Sequence, residues 1–118
     1  MVIYQEIYNK QIAFPAEENF IISCTQDAVD LLGEAGSEDC SRIIIYERNL
    51  HPDFFKLATG LAGDILQKFS NYRFKLAIIG DFSKYKSKNL HDFIRESNKG
   101  NRVFFTDNID IALLKLAH

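Results

Sequence analysis

Arg42-Ile43-Ile44-Ile45-Tyr46 and Phe74-Lys75-Leu76-Ala77-Ile78-Ile79, with the segment Pro52 to Tyr72 between them, decide the fold. Both runs are short and almost unbroken in apolar character, the pattern of strands in a sheet covered on two faces. Phe54, Leu57 or Ala58, Leu61, Ile65 and Phe69 recur at helical spacing, and Pro52 suits a first helical position. Two such strands joined by a helix form a right-handed βαβ crossover. Gly60 and Gly63 interrupt the stripe, each at ~1 kcal/mol relative to alanine. Glycines retained at that cost point to close approach of another backbone, from the sheet or from a partner. A break into two helices near Ala58-Thr59-Gly60 is a second reading of the same stretch.

Working outward, Val2 to Tyr8 and Gln11 to Phe14 read as a β-hairpin about Asn9-Lys10, closed by Pro15. Phe20-Ile21-Ile22 is either a brief strand or the approach to a helix. That helix is expected to start at Thr25 as N-cap and to bury Ala28, Leu31, Leu32 and Ala35, stopping at Gly36-Ser37. After the Phe74 strand, Ser87 is the expected cap of a helix with Leu90, Phe93 and Ile94 inside, and Gly100 its left-handed stop. Arg102-Val103-Phe104-Phe105 is the last strand. Asp107 is the expected cap of a final helix, with Asp110 as the acidic member of a capping box and Ile109, Ala112, Leu113 and Leu116 inside. The fold class is α/β: a hairpin followed by alternating helices and mostly parallel strands, four or five of each.

The 118 residues are expected to form one domain, 1–118. The 47% hydrophobic and 25% charged content is that of a soluble globular chain. A net charge of -2 argues against a non-specific nucleic-acid binder. Cys24 and Cys40 read as two small buried residues in a reduced compartment, not as a disulfide. No ligand-spaced Cys or His set suggests a metal, and no cofactor is expected. Met1 to Glu6 carries no signal-peptide pattern, and no apolar run approaches the ~20 residues that span a bilayer. A cytoplasmic location with no membrane partner is the expectation.

Two loops carry candidate chemistry, because ligands in open α/β sheets bind beyond the carboxyl ends of strands. Gly80 to Lys88 offers Asp81, Ser83, Tyr85 and the lysines Lys84, Lys86 and Lys88 ahead of a helix N-terminus, which suits a phosphate or carboxylate. A solvated loop accounts for the same composition. Glu47, Asn49, His51 and Asp53 follow the neighbouring strand and could face Asp81. A Glu47/Asp81 pair would suit general acid–base work if burial raised one pKa, and His51 would serve as base or ligand. A polar loop leading into a helix is the plainer account. The candidate ligand-binding residues are therefore Glu47, Asn49, His51, Asp81, Ser83, Lys84 and Lys86, and no catalytic residue is assigned. Phe82 and Tyr85 read as exposed aromatics, His91 as a solvated helix residue, and Arg73, Lys75 and Arg102 as rim charges at the structural end of the sheet.

Pro52-Asp53-Phe54-Phe55, Leu61 to Phe69, Leu76 to Ser83 and Asp92 to Gly100 together resemble the bacterial family called domain of unknown function 4180. The resemblance spans nearly the whole chain and implies a bacterial source; it supplies no catalytic residues. The order of elements is also similar to the STAS domains of anti-sigma-factor antagonists, small cytoplasmic modules that bind a protein partner. Thr59-Gly60-Leu61 resembles the step that carries their phosphorylatable residue, which implies Thr59 as a regulatory phosphosite. In this chain the step comes later, after the added turn Pro52 to Ala58. The leading expectation is thus a non-enzymatic regulatory or protein-binding module. The alternative is a small-molecule, nucleotide or anion-binding protein, open to catalysis, with its site between the Glu47 and Asp81 loops. A DNA-linked or toxin–antitoxin role rests on the three lysines alone. Self-association is compatible with all of these.

Overall fold

The computed structural model describes residues 2–118. Its five strands are β1 (Val2–Ile7), β2 (Lys10–Pro15), β3 (Arg42–Tyr46), β4 (Lys75–Ile79) and β5 (Val103–Thr106), and they lie side by side in chain order. β1 and β2 form the antiparallel hairpin, and the other pairings are parallel. The turn at Tyr8 and Asn9 takes positive φ at both residues, 52° and 63°. That left-handed pair matches the twist of the flanking strands.

The four α-helices are α1 (Thr25–Ser37), α2 (Leu61–Asn71), α3 (Lys88–Lys99) and α4 (Ile109–Ala117). Because strand side chains alternate, the sheet has two apolar faces. Ala13, Ile43, Ile45, Leu76, Ile78 and Phe105 form one with the inner sides of α1, α2 and α3. Ile12, Ile44, Ala77, Ile79 and Phe104 form the other with Ala112 and Leu116 of α4. The alternating pattern of sequence signals thus matches an α/β sheet covered on both faces, and the hairpin and the four expected inner residues of α1 stand where the periodicity puts them.

Local details differ where hydrogen bonding overrides pattern. The long helix expected from Pro52 is instead two 3-10 turns, Pro52–Phe55 and Leu57–Thr59, then α2 from Leu61. Gly60 joins them at φ +78°, a conformation that favours glycine, so the break reading is the correct one. Gly63 has open space around it, so close backbone approach does not explain it. α1 is capped at Cys24 with no side-chain bond; Asp27 instead accepts from the Ser23 N–H at 2.8 Å. Asn108, not Asp107, caps α4 by accepting from the Asp110 and Ile111 N–H groups. Gly100 ends α3 at φ -86°, outside the left-handed region. Cys24 is exposed while Cys40 is buried, and both are free thiols. Phe20-Ile21-Ile22 contributes only an isolated bridge, Ile22 to Leu50. No helix is long and apolar enough to cross a membrane.

The outer edge of the sheet at β5 is covered in part by a side chain. Asn98 of α3 accepts from the Phe105 N–H at 2.7 Å and donates to its carbonyl at 3.1 Å, as a neighbouring strand would.

Candidate functional site

Beyond the carboxyl ends of β3 and β4, two loops are locked together by side chains. Glu47 is the first residue after β3, in the 3-10 turn Glu47–Asn49. That turn is held by Asn49, whose amide oxygen accepts from the Tyr46 N–H at 3.0 Å while its nitrogen donates to the Glu17 and Asn19 carbonyls at 3.0 and 2.9 Å. Among the described residues Asn49 is the one buried residue that is polar. It therefore ties the 16–20 connection to the end of β3 and lies away from solvent. His51 accepts from the Asp53 N–H at 3.0 Å through Nδ1, which starts the turn Pro52–Phe55. Its ring stands 5.5 Å from Phe20.

This turn brings Glu47 over Gly80. A Cβ on Gly80 would come within 2.7 Å of the Glu47 Cβ and 2.8 Å of its Oε1. Here glycine is required by close approach of a neighbouring side chain. The Glu47 side chain is only 15% exposed, and its Oε2 takes both the Tyr85 hydroxyl hydrogen bond and the Lys84 ammonium, at 2.8 Å. Burial, followed by the hydrogen bond and the charge of Glu47, pushes the Tyr85 phenol above its ordinary pKa. Tyr85 stacks on Phe55 at 5.0 Å, and Phe82 meets Phe105 edge-on at 5.4 Å. Both rings are half-buried, not the exposed aromatics expected, because the aromatic core extends up into this loop. His91 is likewise half-buried, its Nε2 bonded to the Tyr85 carbonyl, and so is not a solvated residue.

Asp81 bonds within its own loop. Its Oδ1 accepts from the Ser83 hydroxyl at 2.6 Å and the Ser83 N–H at 3.1 Å. These bonds, with Lys84 nearby, hold its carboxyl below the usual carboxylate range. The structure thus brings Glu47, Lys84 and Tyr85 together. Asp81 and Ser83 pair with each other, and Lys88 is drawn to Asp92 at 2.8 Å. Lys86 is exposed and forms no ion pair among the described residues. Thr59 is exposed just before α2; its hydroxyl donates to the Asp53 and Lys56 carbonyls and accepts from the Leu61 N–H.

Between the loops lies a cleft of about 270 Å³, lined by Phe20, Glu47, Arg48, Leu50, Pro52, Phe55, Lys84 and Tyr85. Phe20 is 49% exposed at its rim. Arg48 pairs with Glu18 at 2.7 Å and lies 4.2 Å from the Tyr46 ring centre. Sequence reasoning missed Phe20, Phe55 and Arg48, whose place depends on the 16–20 connection that Asn49 anchors. A larger hollow, about 440 Å³, opens between α2 and α3 and is lined by none of the candidate ligand-binding residues. Among the described residues no group of three or more His, Cys, Asp or Glu side chains converges to hold a metal.

No curated protein and no solved structure matches the chain. The family model described as a domain of unknown function (DUF4180) matches residues 7–116. With nearly its whole length matched, the chain belongs to the DUF4180 family.

Proposed function

We propose that this protein is a small bacterial cytoplasmic module, STAS-like in its element order, that works without catalysis by binding a protein partner through the cleft between Glu47 and Tyr85. One observation carries this reading. The polar groups of the cleft satisfy one another, Glu47 with Tyr85 and Lys84, while the half-exposed Phe20 and the partly exposed Tyr85 present aromatic surface over the buried Phe55. Catalytic sites direct a base or nucleophile at a vacant reacting position. Partly exposed aromatic side chains around a charged group are instead the composition of protein-binding hot spots. Thr59, exposed and adjacent to the start of α2, is the residue at which phosphorylation would regulate such binding.

The test is retention of a binding species by immobilised protein and by its Phe20→Ser and Tyr85→Ala variants. A protein held by the native chain and released by both variants, at unchanged fold, supports the reading. Equal retention by all three counts against it.

The concave shape of the cleft favours a second reading, a small-molecule ligand in the same place. Lys86, which forms no ion pair among the described residues, would add a cation for a nucleotide or other anion. Replacing Asp81, Lys84 and Lys86 by alanine should then abolish ligand-induced stabilisation in a thermal-shift screen; a shift that survives counts against it.

A further inference from the structure

Cations with no carboxylate side chain as ion-pair partner among the described residues gather at the opposite end of the sheet. Lys10, Arg42, Lys75 and Arg102 each stand two residues before an inward residue of the face that α4 covers: Ile12, Ile44, Ala77 and Phe104. Strand residues two apart share a face. Lys10, Arg42 and Lys75 therefore project from neighbouring strands to one side, at the amino ends, beside the last turn of α4; Arg102, just before β5, stands close enough for its charge to act on Lys75 and also lines the hollow between α2 and α3. Arg42 and Lys75 are directly opposite in the β3–β4 register, a like-charge pairing that weakens a sheet. All four are half-buried. Lys115 joins them from α4, its ammonium 5.8 Å from the Phe104 ring centre.

Ion pairs among the described residues go to Arg48, His51, Lys56, Lys84, Lys88, Arg95 and Lys99, and none to these five cations. What they have instead is backbone oxygen at the end of α4. The Arg42 Nε donates to the Leu116 carbonyl at 2.6 Å, and Lys75 donates to the backbone oxygen of His118. A helix C-terminus carries roughly half a negative charge, and even with a terminal carboxylate on His118 counted as one more, the five positive charges are not offset. Burial, then the charges of Arg42, Arg102 and Lys10, holds the Lys75 pKa below the usual lysine range. Beside these residues opens a cavity of about 400 Å³, lined by Lys75, Gly100, Asn101, Phe104, Lys115 and His118, with no carboxylate side chain in its lining.

We propose that this cavity binds a small molecule through a phosphoryl or diphosphoryl group, with Lys75 and Lys115 at the anion and Arg42 and Arg102 behind them. Ammonium groups and the Asn101 amide donate to phosphate oxygens, and Phe104 offers an apolar wall to the rest of the ligand. A concave cavity lined by the half-buried Lys75 and the exposed Lys115, on a chain of net charge -2, fits a small anion better than the extended basic stripe a nucleic acid requires. The site is separate from the Glu47 cleft, and neither proposal depends on the other.

Inorganic pyrophosphate is the probe, added to the full chain in thermal-shift and amide NMR titrations. The expected result is a saturable rise in Tm, with amide shifts centred on Lys75 and on Gly100 to Arg102. Lys75→Met with Lys115→Met should abolish both responses. Lys75→Met alone should keep the amide spectrum and cooperative melting of the native chain, so its loss of binding is not loss of fold. Lys68→Met, on α2 against the other face, should bind as the native chain does. Three outcomes would overturn the proposal. One is the absence of any pyrophosphate response. Another is a response that survives the Lys75/Lys115 double variant or is lost equally in Lys68→Met. The third is a single-stranded oligonucleotide that binds this end of the sheet and is not displaced by pyrophosphate.

Discussion

Glu47 lies so close over Gly80 that a Cβ at position 80 would sit 2.7 Å from the Glu47 Cβ. The contact comes from backbone-anchored atoms on both sides, one loop after β3 and one after β4, so neither can give way cheaply. Gly80→Ala should destabilise the protein by about 1–3 kcal/mol, the usual cost of overpacking. It should also displace Glu47 from Lys84 and Tyr85. Urea denaturation measures the first effect, and the amide NMR shifts of residues 47 and 84–85 the second. An alanine variant as stable as the native chain would show that the loops are not pressed together.

Asn49 is the keystone beneath that contact. Asn49→Ala removes an acceptor from the Tyr46 N–H and two donors from the Glu17 and Asn19 carbonyls. Buried polar groups left unsatisfied cost about 1–3 kcal/mol each. A total loss of roughly 3 kcal/mol is expected in chemical denaturation, with the 16–20 connection losing amide protection first.

Tyr85 links the site to pH. Its folded-state pKa is raised above the ordinary 10.0, so folding favours the neutral phenol. A raised value contributes stability that is complete below the unfolded pKa and disappears as pH climbs through the folded one. Stability should therefore fall above pH 10.0, and Tyr85→Phe should remove part of that fall. The difference between ultraviolet titrations of the native chain and Tyr85→Phe isolates this phenol, which should ionise above the ordinary tyrosine value. An ordinary value would mean that Glu47 does not hold it.

How much of this was legible in the sequence follows from the range of the interactions. β3, β4 and the inner faces of α1 and α4 could be read directly, since period and burial are written in consecutive residues such as Ile43-Ile44-Ile45 and Ala112-Leu116. The stretch 52–60 could not, because His51 and Thr59 spend their side chains on nearby backbone and stabilise 3-10 turns where apolar spacing alone suggests helix. The two candidate loops were visible as loops. The pairing of Glu47 with Tyr85, 38 residues apart, was not, since it depends on which strands are neighbours. The cations at the amino ends were within reach: each lies two residues before an inward position of its strand, a regularity that emerges once the two faces are told apart.

Asn98 stands in for a sixth strand at the β5 edge. Asn98→Ala removes two hydrogen bonds from Phe105, at a net cost of about 1–2 kcal/mol. It also bares N–H and C=O groups that can pair with another chain. Lower stability together with concentration-dependent association in sedimentation experiments is expected; a variant that loses stability but stays dispersed would show that the edge is protected by other means.

The cleft between the β3 and β4 loops is the central claim, and site-specific photo-crosslinking tests it most directly. A photoreactive phenylalanine analogue would replace Phe20 at the cleft rim, and in a second protein Tyr72, which is 58% exposed just after α2. The expected result is a discrete protein adduct from position 20 that is absent from position 72 and lost when Tyr85→Ala is added. The same adducts from both positions, or none from position 20, would contradict a partner-binding cleft.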